Sequence, residues 1–350
     1  MAAMLAERVR RFIADPAADD FDRLALEVAT FQHAHIPEVR RLWQRRGLLP
    51  DAARSWRDVP PVPTLAFKSL ELHAAEAREV FRSSGTRGGG RSSHFQPWPQ
   101  LYRAAVDASF PRFCLPRLHL PPMLALVPDR QQAPDSSLSF MVDHVLRRFA
   151  GEGSAHAFGS RGVDVPAARS WLAARQREKR PVVVLATSFA LAQLLDALER
   201  RTLRFRMSPG SVLFDTGGFK GRTTALEPAD LTARVGATLG IPAEQVVREY
   251  GMSELSSQAY TATLLGGDRE LFVPPHWLGV RVLSADTLAD LPAGEEGLLA
   301  FFDLANAGSV AAVLTEDLGR LGEGGFRLRG RAADAELRGC SLTVEELRLE

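Results

Sequence analysis

The stretch Val182-Val-Val-Leu-Ala-Thr-Ser-Phe-Ala-Leu-Ala-Gln-Leu-Leu-Asp-Ala-Leu-Glu-Arg200 decides the architecture. Val182 to Ala186 form an unbroken apolar run of the length of one buried strand, and Phe189 to Arg200 read as the helix that follows it. The apolar stretch reaches from Val182 to Leu195, but it contains Thr187, Ser188 and Gln193 and is bounded by Arg180 and Asp196. It is too short and too polar to cross a bilayer, so no transmembrane segment is indicated.

The same strand-then-helix unit recurs on either side. Val80 to Arg82, Met123 to Val127, Val212 to Asp215 and Val246 to Glu249 read as strands, and Ser137 to Phe149 and Pro228 to Leu239 as helices. This alternation predicts an α/β fold. Downstream, Gly279 to Leu283, Gly297 to Asp303 and Val310 to Leu314 read as strands of a more antiparallel region, separated by Pro, Gly and Glu turns. Upstream, Phe21, Leu24, Val28, Phe31, Val39 and Leu42 recur at helical spacing, and Pro37 divides them into two helices. Pro60-Pro-Val-Pro-Thr64 is an extended connector. The sequence contains no internal repeat.

Composition narrows the function class. At 350 residues and 45% hydrophobic the chain buries an ample core. Lys plus Arg number 43 against 42 acidic residues, a net charge of +1, which argues against a broad nucleic-acid surface. The cluster Arg40 to Arg46 reads as a solvated helix face. Leu5, Val9, Phe12 and Ile13 stand at helical spacing among charges, unlike a signal peptide, and the expected location is cytoplasmic. Two cysteines, Cys114 and Cys340, make no disulfide scaffold and show no zinc spacing. Cys114, between Phe113 and Leu115, reads as buried and inert.

Three segments carry candidate chemistry. In Phe81-Arg-Ser-Ser-Gly-Thr-Arg-Gly-Gly-Gly-Arg91, small residues let backbone N–H groups converge on phosphate, and Ser83, Ser84 and Thr86 add hydroxyl donors. It is neither a Walker A loop nor a dinucleotide-binding GxGxxG turn, and taken alone it reads more readily as an ordinary loop. In Tyr250-Gly-Met-Ser-Glu254 the Tyr250 ring can stack on a base, Gly251 permits close approach and Glu254 can hold Mg²⁺; a strand end capped by a solvated glutamate explains it as well. Gly217 and Gly218 open a third loop, for which turn geometry is the simpler account.

Their order along the chain is more specific than any one of them. Ser83 to Thr86, Gly217-Gly218, Tyr250 to Glu254, Thr315-Glu-Asp317 and Gly330-Arg331 resemble the ordered motifs of the adenylate-forming ligase superfamily. The closer resemblance is to the acyl-protein synthetases of bacterial luminescence fatty-acid reductase systems. It rests on Ala66-Phe-Lys-Ser69, Phe81 to Thr86, Ser136 to Val142, Thr216-Gly-Gly-Phe-Lys-Gly-Arg222, Arg248 to Tyr260, Leu314 to Gly319 and Gly330 to Leu347, which together reach across nearly the whole chain.

The resemblance implies the large N-terminal domain of an adenylate-forming ligase, an α/β fold with mixed sheets flanked by helices and without the full C-terminal domain. A helical segment at 1–60, an adenylate-forming core at 61–325 and a hinge-like tail at 326–350 are the expected divisions. It further implies that Ser83, Ser84, Gly85, Thr86 and Gly88 hold ATP phosphates, that Gly217 and Gly218 border the adenine, and that Tyr250 stacks on it beside Gly251. Ser253 would approach the α-phosphate, Glu254 would bind Mg²⁺, Asp317 would accept from the ribose hydroxyls with Arg331 nearby, and Lys220 and Arg222 would neutralise anionic charge. Arg87 departs from the family pattern by replacing a small hydroxyl residue, and Ala333 stands where an acidic hinge residue is usual.

The implied enzyme is an acid-thiol ligase that makes an acyl-adenylate from a carboxylic, in this family fatty, acid. The acyl group then moves to Cys340 as a thioester, for delivery to an acyl reductase, an acyltransferase or an acyl carrier protein. Locally, Arg338 and a capping box at Thr343-Val-Glu-Glu346 opening a short helix would favour the Cys340 thiolate. Two other readings stay open: a biosynthetic ligase that acylates coenzyme A, a carrier protein or an amine, and a catalytically silent scaffold.

Overall fold

The computed structural model of the chain describes residues 2–49, 51–83, 90–217 and 227–332, together with Thr343, Glu346 and Leu347. These fall into two compact units, one built from Met1–Ala108, Gly251–Ala259 and Glu270–Glu350, the other from Ser109–Tyr250 and Tyr260–Arg269.

The first unit begins with three helices, α1 (Ala2–Ala14), α2 (Phe21–His35) and α3 (Pro37–Arg45). Leu5, Val9, Phe12 and Ile13 are buried along one face of α1, as their spacing predicts. Asp20 caps α2 by accepting from Arg23 N at 2.9 Å, and Pro37 opens α3 where its missing N–H is not needed. A short extended strand, β1 (Val62–Pro63), lies in the expected connector, and β2 (Glu79–Arg82) pairs antiparallel with β3 (Ser93–Gln96). The glycine-rich segment therefore joins the two strands of a hairpin.

Helix α4 (Pro99–Cys114) leads into the second unit, where β4 (Met123–Leu126), α5 (Ser137–Phe149), three two-residue strands β5 (Ala155–His156), β6 (Phe158–Gly159) and β7 (Gly162–Val163), and α6 (Val165–Glu178) follow. Then come β8 (Val183–Thr187), α7 (Ser188–Glu199), β9 (Val212–Thr216), α8 (Pro228–Leu239), β10 (Val246–Tyr250) and β11 (Ala259–Thr261). Strands β10, β9, β8, β4 and β5 run side by side and all parallel. Every residue of β4 and the first four of β8 and β9 are buried and, Asp215 apart, apolar, the pattern of a parallel sheet covered on both faces. Helices α6, α7 and α8 supply Trp171, Leu172, Leu191, Leu194, Leu195, Val235 and Leu239 to the core that covers it. Helix α8 ends at Gly240 in the left-handed region (φ +70°), with Gly240 N donating to Gly236 O at 3.1 Å.

The chain returns to the first unit with β12 (Leu271–Val273), β13 (Leu278–Leu283), β14 (Glu296–Asp303), β15 (Ala312–Gly322) and β16 (Gly325–Arg331). In the order β13-β14-β15-β16-β12 these are antiparallel, and β1 joins β15 in parallel. Strand β15 begins two residues after the start expected at Val310 and continues to Gly322, so Thr315, Glu316 and Asp317 stand within a strand. Thr343, Glu346 and Leu347 have helical backbone. Among the described residues no helix is long and apolar enough to cross a membrane.

Candidate active site

In the second unit the C-terminal ends of three parallel strands lie abreast. Thr187 of β8 pairs in register with Thr216 of β9, which pairs with Glu249 of β10, next to Tyr250. Open parallel sheets gather ligands at this edge. The Thr187 side chain caps α7 by accepting from Ala190 N at 3.1 Å, and Ser188 Oγ donates to Asp215 Oδ1 at 2.7 Å. Burial pushes the Asp215 carboxyl up to about 6, against the opposing influence of Ser188 and of Arg248, which stands opposite it in register on β10. Tyr250 is buried at 6% exposure, whereas Gly217 is exposed. Among the described residues neither a positive φ nor an atom within 4 Å of a would-be Cβ requires glycine at 217. Cys114 is fully buried, and burial raises its thiol well above the usual range, in keeping with an inert residue.

In the first unit the turn after β10 is clamped by polar side chains. Ser92, His94 and Gln96 alternate along the strand edge and therefore share one face, and all three are buried. Ser92 Oγ donates to Glu254 Oε1. His94 Nδ1 donates to the Ser253 carbonyl at 2.7 Å, since a carbonyl can only accept, and Gln96 Nε2 donates to His94 Nε2 at 3.2 Å. The ring is thus fixed as the neutral Nδ1–H tautomer, and burial holds it down at about 4. Gln96 also donates to Ser256 Oγ.

The opposite side of the turn rests on the end of β14. Asp303 accepts from Ser256 N, Ser257 N and Ala305 N, each at 2.9 Å, and from Ser257 Oγ at 2.6 Å. Asn306 Nδ2 donates to the Glu254 carbonyl at 2.9 Å and to the Val310 carbonyl at 3.0 Å. Both side chains are fully buried, and burial raises the Asp303 carboxyl despite its four donors. Ser253 and Glu254 are consequently held in place at 8% and 7% exposure.

The other expected positions divide as follows. Ser83 closes the β2–β3 hairpin, with its N donating to Ser92 O at 3.0 Å and its Oγ accepting from Ser92 N at 3.0 Å. Arg91, the last residue of the glycine-rich segment, donates through Nε to the Ser83 carbonyl at 2.6 Å. Gly251 is exposed just ahead of the clamped turn. Asp317 and Arg331 are paired across β15 and β16. Ser84, Gly85, Thr86, Arg87, Gly88, Gly218, Lys220, Arg222, Ala333 and Cys340 lie outside the described residues. Sequence reasoning missed Ser92, His94, Gln96, Asp303 and Asn306. The available signal was the polar alternation Ser92-x-His94-x-Gln96 beside a loop already marked as a phosphate candidate.

The sequence model of the acyl-protein synthetase family LuxE matches residues 167–348, just over half of the chain. The chain belongs to the acyl-protein synthetase family. It is accordingly an enzyme of the AMP-forming ligase class. The long-chain-fatty-acid–luciferin-component ligase of Aliivibrio fischeri is 21% identical over 305 residues, which cover 85% of this chain and 78% of that one. Among solved structures, an open 2-hydroxyisobutyryl-CoA ligase in complex with 2-HIB-AMP and CoA superimposes with a TM-score of 0.64 at 16% identity, over 89% of this chain and 75% of that one. A long-chain-fatty-acid-CoA ligase from Archaeoglobus fulgidus gives a TM-score of 0.52 at 16% identity, over 76% of this chain and 53% of that one. These likenesses show the fold, that of the large N-terminal domain of adenylate-forming ligases.

Proposed function

We propose that the chain uses ATP to activate a carboxylic acid, a long-chain fatty acid being the class favoured, and then holds the acyl group as a thioester on Cys340 for delivery to a partner protein. The observation that carries this reading is the clamped acidic turn: Glu254 is a buried carboxylate seated beside the base of the glycine-rich hairpin. Family membership supports it, and the name of the Aliivibrio fischeri relative supports the choice of acid.

The donor chemistry of the turn fits Mg²⁺. That ion is commonly held by one or two carboxylates together with substrate phosphates. Among the described residues no cluster of three or more His, Cys, Asp or Glu side chains forms a cage of its own, so Glu254 would share the ion with the nucleotide. When bound, Mg²⁺ would offset the negative charge that separates two reacting anions.

The chain's own groups then have assigned parts. Ser83 to Gly88 would donate to the phosphates, Gly217 and Gly218 would let the adenine lie against the backbone, and Tyr250 would stack on it. The carboxylate oxygen attacks the α-phosphorus and pyrophosphate leaves. Next the Cys340 thiolate attacks the acyl carbonyl, the C–O bond to AMP breaks, and AMP leaves with that oxygen; the thiol proton passes to solvent. An acyl reductase, an acyltransferase or an acyl carrier protein would receive the thioester.

With labelled acid and ATP, the wild type should become covalently labelled, whereas Cys340→Ser should lose the label and keep acid-dependent ATP–pyrophosphate exchange. Undiminished acylation of coenzyme A or an amine by that variant would transfer the assignment to a biosynthetic ligase. An absence of exchange across a panel of fatty and aromatic acids would leave a silent scaffold.

A further inference from the structure

We infer that Ser92 is a positioning residue for the Glu254 carboxylate, an assignment that rests on the proposed metal role of Glu254. Of the three polar side chains that β3 and its entry turn toward the 253–256 segment, His94 and Gln96 hold the carbonyl of Ser253 and the hydroxyl of Ser256. Ser92 instead reaches the carboxylate itself. Its hydroxyl donates to one carboxylate oxygen, Oε1, and so sets the plane in which the group can meet a cation.

The same residue closes the hairpin that carries the glycine-rich segment. Ser92 N donates to Ser83 Oγ, Ser92 O accepts from Ser83 N, and Arg91 Nε braces the Ser83 carbonyl. A single serine thus joins the root of the phosphate-loop candidate to the carboxylate that would meet the phosphate-bound cation. Its hydroxyl bridges two parts separated by 162 residues in sequence, beside the contacts that His94 and Gln96 make to the same turn. The burial of Ser92, at 2% exposure, keeps water from replacing that donor.

Groups that orient a metal ligand affect cation affinity by roughly 10- to 100-fold when removed. The test is Mn²⁺ binding to the full-length chain, followed by electron paramagnetic resonance with and without α,β-methylene-ATP, a readout separate from turnover. Ser92→Ala should weaken Mn²⁺ binding by roughly 10- to 100-fold, and Ser92→Thr, which keeps the hydroxyl, should restore most of the affinity. Ser92→Cys keeps the volume and weakens the donor, so it serves the same purpose if the alanine variant does not fold. Normal Mn²⁺ affinity in Ser92→Ala, alongside weakened binding in Glu254→Gln, overturns the positioning role alone. Normal affinity in Glu254→Gln overturns the metal role of Glu254 and this inference with it.

Discussion

Arg331 Nε donates to Asp317 Oδ1 at 3.2 Å across the antiparallel pair β15 and β16, where the two residues stand directly opposite. Asp317 is mostly covered, with its side chain 14% exposed, while Arg331 is 60% exposed. An ion pair so open to solvent contributes at most about 1 kcal/mol to stability. Its value would lie in holding a carboxylate ready for ribose hydroxyls. Asp317→Ala should therefore raise the KM for ATP by roughly 10- to 100-fold, the loss of one hydrogen bond to a charged group, while Arg331→Ala should change it less than about tenfold. Steady-state exchange kinetics measure both, and an unchanged KM in Asp317→Ala removes that residue from the ribose site.

Asp303 should be among the most sensitive positions for folding. Its carboxylate takes three backbone N–H groups and one hydroxyl, all buried, and Asp303→Ala leaves them without an acceptor. A loss of roughly 3 to 5 kcal/mol is expected, and Asp303→Asn, which retains one oxygen, should lose less. Chemical denaturation reads the difference. A loss below about 1 kcal/mol in the alanine variant would mean that water takes over the carboxylate's place.

Local signals account for what was legible. The helices expected at Ser137–Phe149 and Pro228–Leu239 occur with those bounds because Ser136 caps one, while Pro228 opens the other and Gly240 closes it. Helix α4 was missed because Pro111 lies inside it, and α6 because only Ala168, Trp171 and Leu172 of its fourteen residues are buried beside several arginines. Strand β15 outran its expected end because its buried run gives way after Thr315 to partly exposed Glu316 and Asp317, and cross-strand pairing continues regardless. At the candidate site, Tyr250 to Glu254 could be read as a motif. The clamp around it could not, since Ser92 and Glu254, or Asn306 and Glu254, meet only through tertiary folding and leave no periodic trace.

Two buried groups should oppose each other in acid. The folded Asp215 carboxyl titrates at about 6, above its ordinary 3.8, so the folded state binds the proton more tightly and stability falls as pH rises from about 4 to 6. His94 is depressed from 6.5 to about 4, so its contribution is complete above 6.5 and is lost as pH falls toward 4. Asp215→Asn keeps an oxygen for Ser188 and removes the first effect, which is worth up to about 3 kcal/mol. This variant should gain stability at pH 8 and should lose stability more steeply than wild type between pH 6 and 4. Denaturation midpoints across that range measure the slope, and parallel curves for the two proteins would contradict the assignment.

Arg46, read from sequence as part of a solvated helix face, is exposed and also pairs with the C-terminal tail. Its Nε donates to Glu346 Oε2 at 3.0 Å and its Nη2 to Thr343 Oγ1 at 3.1 Å, while Leu347 is fully buried. Cys340 precedes Thr343 by three residues in sequence. The ion pair is partly exposed and is worth about 1 kcal/mol or less, whereas burying the leucine side chain is worth about 1.5 to 3 kcal/mol. Hydrogen exchange in peptides covering 338–350 should therefore quicken in both variants, more in Leu347→Ala than in Arg46→Ala. The charge exchange Arg46→Glu with Glu346→Arg should recover part of the protection lost in Arg46→Glu alone. If neither single variant exchanges faster than wild type, this contact does not anchor the tail.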